Sequence, residues 1–97
     1  ADLTGTSVTT LYTCAALTTG IVRSILVSED SGNADTVTVT ITNGTAVFSL
    51  FKTKAVGANA TVELLTEPLV VQTGEILKVT AATANRLHVV ASILEIT

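Results

Sequence analysis

Residues 35–51 read DTVTVTITNGTAVFSLF, and the fold class is decided there. Val37, Val39 and Ile41 alternate with Thr36, Thr38, Thr40 and Thr42, the period of a strand with one dry and one wet face. Asn43-Gly44 follows, and that pair between two such runs predicts a hairpin closed by a type I′ turn. The return run sets Ala46, Phe48 and Leu50 on one face and Val47, Ser49 and Phe51 on the other. An antiparallel sheet is the expectation, and the stretch carries no chemistry of its own.

Upstream of this hairpin, Ser31 to Ala34 has the composition of a turn. Residues 20–30 before it predict a strand with Ile21, Ile25 and Val27 on one face and Val22 and Leu26 on the other. Both faces of that strand want cover. Residues 7–14 predict a first strand, followed by a turn of small residues from Ala15 to Gly20. Residues 1–6, ADLTGT, have no pattern of their own and are expected to form a flexible N-terminal arm.

Downstream, Lys52 to Asn59 leads out of the sheet and Thr61 to Leu65 forms a strand. Pro68 lacks an amide hydrogen and marks a break or an edge. Leu69 to Gln72 is a short continuation, Thr73-Gly74-Glu75 a tight turn, and Ile76 to Ala82 a strand. Leu87 to Ile96 closes the chain as a strand apolar on both faces. The sum is an all-β chain: one antiparallel β-sandwich over residues 7–97, of seven or eight strands, jelly-roll-like or immunoglobulin-like.

Composition narrows the partners. The chain is 47% apolar with 13% charged residues and a mean hydropathy of +0.62, oily for so small a domain. Its longest apolar runs are far short of the roughly 20 residues of a spanning helix, so no membrane role is expected. Burial against other copies is the better explanation, and a homo-oligomer, a trimer first, is expected. Thr supplies 19 residues, which makes the polar surface hydroxyl rather than charge. Net charge is −3, and Arg23, Lys52, Lys54, Lys78 and Arg86 form no basic stripe, so nucleic acid is not an expected partner. A single cysteine makes no internal disulfide, and nothing suggests an oxidising compartment. Ala1 is expected to follow a removed initiator Met, with no secretory leader in view.

Reactive residues are few. His88 is the sole histidine and has no second ligand or triad member near it in sequence; it reads as a surface or interface strand residue. Cys14, among Thr13, Ala15 and Ala16, reads as a small hydrophobe. Glu29, Asp30 and Asp35 flank one turn without the fixed spacing of a calcium loop, and read as a solvated turn. Asn43 and Asn59 both match the N-glycosylation pattern and both sit where loop chemistry explains them. Tyr12, Phe48 and Phe51 are the aromatics available for sugar stacking. No phosphate-cradling glycine loop or nucleophile elbow is present. The expectation is a non-enzyme with no catalytic, cofactor-binding or metal-binding residues.

Two stretches carry a resemblance. Leu11-Tyr12-Thr13 with Gly20-Ile21-Val22-Arg23-Ser24-Ile25, and later Leu69 to Ala81 around Gly74-Glu75, resemble the opening and the late hairpin of small structural proteins of tailed-bacteriophage virions. The likeness spans most of residues 8–97 and keeps the order of parts; Cys14-Ala15-Ala16-Leu17 departs from it, standing where a Pro-Ala-Gly turn would be. The resemblance implies a virion structural protein located on the capsid surface and assembled in the host cytoplasm. It further implies a capsid decoration (cement) protein that contacts the major capsid protein as a homotrimer. A tail, baseplate or fibre component, or a carbohydrate- or surface-binding sandwich, are the alternative expectations.

Overall fold

The computed structural model describes residues 2–96, with Asp2 described by its backbone alone. Nine strands follow in order: β1 (Asp2–Leu3), β2 (Thr9–Thr13), β3 (Thr19–Glu29), β4 (Asp35–Thr42), β5 (Val47–Val56), β6 (Thr61–Glu63), β7 (Leu69–Val71), β8 (Ile76–Ala81) and β9 (Leu87–Ile96). They form two antiparallel sheets. The first runs β1-β9-β3, with β6 and β7 sharing the far edge of β3; the second runs β2-β8-β4-β5. This is the strand order of a jelly roll, two interleaved Greek keys. The ninth strand, beyond the expected seven or eight, is β1, which pairs with β9 where a free arm was expected; the break around Pro68 splits β6 from β7 beside β3 as expected.

The core between the sheets is aliphatic. Val22, Ile25, Val27 and Val89 from the first sheet meet Val37, Val39, Leu77 and Val79 from the second, all fully buried. The expected grouping of Ile21 with Ile25 and Val27 is corrected here. The β3–β9 register shifts between Val22 and Ser24, so Arg23 is an extra residue in the ladder. That bulge turns Val22, Ile25, Val27 and Glu29 inward and leaves Ile21, Ser24 and Leu26 on the outer face. A strict alternation would have carried Arg23 into the core with Ile21 and Ile25.

The hairpin of β4 and β5 is present, but its turn is not type I′. Thr42 pairs with Val47, so residues 43–46 form a four-residue loop, and Gly44 has a positive φ (94°) whereas Asn43 does not. The Asn43 carboxamide oxygen accepts from the amides of Thr45 and Ala46, which ties the loop together. The return strand also departs from strict alternation. Two register shifts opposite Val37–Thr40 bulge β5, with Thr53 at φ 48°, and so Leu50 and Phe51 both pack on the core while Val47 and Phe48 are exposed.

The expected arm is corrected as well. Asp2 pairs with His88 and Leu3 with Leu87, the Leu3 carbonyl accepts from the Asn85 amide, and Leu3 is 2% exposed. Only residues 4–6 of the stretch are exposed chain, and Ala1 lies outside the described residues. At the opposite end of the first sheet, Gly20 lets the Tyr12 ring of β2 lie against the backbone. A Cβ there would stand 2.6 Å from the Tyr12 hydroxyl and 2.7 Å from its ring. The hydroxyl donates to Glu95, the register partner of Gly20, so one side chain fastens the two sheets together. Burial pushes the Tyr12 phenol up, and the bond to Glu95 adds to that shift.

Candidate functional site

The bulge at Arg23 decides which side chains face away from the core on the first sheet. Along β9 they are Val90, Ser92, Leu94 and Ile96; their neighbours on β3 are Leu26, Ser24, Ile21 and Thr19, and Val70 lies beside Ile21 on β7. Leu26, Val70, Val90, Leu94 and Ile96 are between 38% and 61% exposed. Two apolar rows, Leu26–Val90 and Val70–Ile21–Leu94, therefore flank a serine row. The second sheet is the opposite: Thr36, Thr38, Thr40, Lys78 and Thr80 alternate with its buried residues. One sheet is dressed for water and the other for contact.

Glu63 borders the apolar face at its β6 edge. Its carboxylate is turned onto β3, accepting from the Ser24 hydroxyl and from the Ile25 amide at 2.9 Å, and from the Leu65 amide at 3.3 Å. It thus fills the gap that residues 64–68 leave beside β3. The Ser24 hydroxyl holds this carboxyl below its ordinary range, against a smaller opposing effect of burial. Beside it, an open cleft of about 500 Å³ lies between β5 and residues 62–69, with Leu50, Phe51, Leu64 and Leu69 in its apolar wall and Lys54 and Glu67 in its polar part.

The acidic turn is built as a structural joint. Glu29 is 1% exposed and accepts from the Ser31 hydroxyl and from the amides of Ser31, Gly32, Asn33 and Asn59. Burial alone would raise this carboxyl; the Ser31 hydroxyl and these amides outweigh it and hold the group at about 2. Asp35 accepts from the amides of Thr36 and Thr83, tying β4 to the segment after β8. Asp30 is exposed and stands 3.2 Å from His88, which is where the sole histidine sits: on the outer face, across the strand from Ser28. The sequence expected a solvated turn; Glu29 is instead a buried organiser of two loops. Among the described residues no group of three or more His, Cys, Asp and Glu is placed to hold a metal ion.

The remaining candidates fall into place around the core. Cys14 is buried, and its thiol donates to the Thr18 carbonyl. Asn59 has a positive φ (56°) in the turn that reaches Glu29, and Asn43 closes the loop described above. Of the three aromatics, Tyr12 is engaged with Glu95, Phe51 packs on the core, and Phe48 is exposed on β5. No helix is long and apolar enough to cross a membrane among the described residues. In comparisons with known proteins, no family model, curated protein or solved structure matches the chain.

Proposed function

We propose that the chain is a non-enzymatic structural protein of a tailed-phage particle, a capsid decoration (cement) protein that binds the outside of the shell and bridges neighbouring capsomers. The apolar outer face of the first sheet carries the reading. Five aliphatic side chains stay exposed on the outer face of the first sheet, whereas β4 and β8 at the centre of the second sheet present threonine and lysine. Such a face buries favourably against another protein at about 25 cal/mol per Å² of apolar surface removed from water. The resemblance of residues 11–25 and 69–81 to small virion proteins supplies the class of particle. Bridging stabilises a shell because parting two capsomers must also break the contacts that the bridging protein makes with both.

The test is occupancy on shells of the phage whose genome encodes the chain, stripped of this protein and titrated with it. Wild type is expected to bind saturably and to raise the temperature at which the shells come apart. The Leu26→Lys/Val70→Lys variant, altered on the outer face alone, is expected to fold and to lose occupancy. Absence of wild-type binding to shells would overturn the cement reading, and retention on tails would move the protein to the tail.

A further inference from the structure

Each sheet edge of this molecule is protected against pairing with another chain, with one exception. β5, the long edge of the second sheet, is bulged twice and carries Lys52 and Lys54. β2, its opposite edge, is five residues long and has a register shift between Thr10 and Tyr12. The far edge of the first sheet is broken into two three-residue strands around Pro68, and Glu63 fills the gap between them. Short strands, bulges, lysines and inward-turned charges are the usual devices that keep edges from adding a strand.

The exception is β9. Its inner edge pairs with β3 throughout, from Leu87 to Ile96, but β1 covers its outer edge only at Leu87 and His88. Along Val90–Ile96 no described strand pairs on that side. The stretch has no Pro and no Lys, the register shift opposite Ser92–Ile93 puts its extra residue on β3 and not on β9, and its side chains are Val, Ala, Ser, Ile, Leu, Glu and Ile. Val90, Ile93 and Ile96 among them are β-branched and favour a pleated surface. Alternate residues of this strand point their backbone donors and acceptors away from β3, and these form a template for one more strand.

We propose that this edge is completed by the same edge of a second copy, β9 against β9 antiparallel about a two-fold axis at Ile93, so that the two first sheets become one continuous sheet. That register uses every open position: Val90 meets Ile96, Ala91 meets Glu95, Ser92 meets Leu94, and Ile93 meets its own mate. Glu95 then faces Ala91 rather than another carboxylate, so the net charge of −3 on each copy brings no like pair together on the seam. Val90 and Ile96, on the outer face, become a cross-strand apolar pair, twice over by symmetry. The contact pairs two copies, where the family resemblance alone implied three. It is independent of attachment to a shell, and purified protein suffices to examine it.

Such a contact is small, so sedimentation velocity is run from about 5 to about 500 µM. A rise from the mass of one chain to that of two is expected. Hydrogen exchange on the unmodified protein, at both ends of that range, is expected to slow at residues 90–96 and to stay unchanged at residues 47–49 of β5. Val90→Lys/Leu94→Lys, at two exposed positions, is expected to weaken association by about tenfold or more with an unchanged far-UV spectrum. A single-chain mass at every concentration, a three-chain mass, or protection gained away from residues 90–96 would each overturn the proposal. The exchange measurement decides the matter should the double variant not fold.

Discussion

Replacing Gly20 by alanine in a strand ordinarily stabilises by about 0.5–1 kcal/mol, since the unfolded chain loses freedom. Here the sign reverses. The added carbon meets the Tyr12 hydroxyl at 2.6 Å and its ring at 2.7 and 2.9 Å, against the roughly 3.5–4.0 Å of a comfortable contact. The ring must withdraw by about 1 Å or swing away, and either movement strains or breaks the 2.7 Å bond to Glu95. Overpacking costs about 1–3 kcal/mol, and a partly exposed bond to a carboxylate adds about 1. After the backbone gain is subtracted, Gly20→Ala should lose roughly 1–3.5 kcal/mol net. For a chain of this length that lowers the melting temperature by about 5–25 °C. The assay is urea unfolding of Gly20→Ala, Tyr12→Ala and the double variant, with matched m-values. In the Tyr12→Ala background, Gly20→Ala should turn neutral or stabilising. Equal losses in both backgrounds would refute the steric account.

Glu29 and Leu3 each carry a further test. The Glu29 carboxyl is lowered from 4.5 to about 2, so its contribution is complete above pH 4.5 and is lost as the pH falls through 2. Urea midpoints from pH 6 to pH 2 should fall for wild type across that window, and Glu29→Gln should be less stable at pH 6 with a flatter profile. Leu3→Ala empties a buried position and should cost about 2–4 kcal/mol in thermal or urea unfolding. A wild-type melting temperature for Leu3→Ala would restore residues 2–3 to a dispensable arm.

Much of the fold was written in period two. The hydroxyl–aliphatic alternation of residues 36–42 gave β4 its wet and dry faces, and Asn43-Gly44 marked the reversal even though the loop is longer than two residues. The bulge in β3 left a trace that alternation misassigned: a charged Arg23 in phase with Ile21 and Ile25 is a conflict that an extra residue in the ladder resolves. β1 left none, because two paired residues have no period. Glu29 was opaque for a different reason. Its partners are mostly backbone amides, which every residue owns, so nothing in the side-chain pattern distinguishes a saturated carboxylate from a solvated one. The apolar face followed from the two doubly apolar strands. The bare edge of β9 did not, since an edge is a property of strand order rather than of any segment.

The pairings are nested: β1 and β3 both lean on β9, and β2 leans on β8, with the β4–β5 hairpin as the one long pairing between successive strands. A chain of this kind emerges from the ribosome with β1 and β3 waiting for β9. At about 5–20 residues per second, β3 stays without its main partner for several seconds after it appears. Until residues 61–81 supply β6, β7 and β8, Val22, Ile25 and Val27 have neither a completed second sheet to cover them nor a ladder to fix their register. Folding is thus governed by distant pairing, slow among small domains. β9 acts as a keystone: without residues 87–96, β1 has no partner and β3 keeps only its short pairings with β6 and β7.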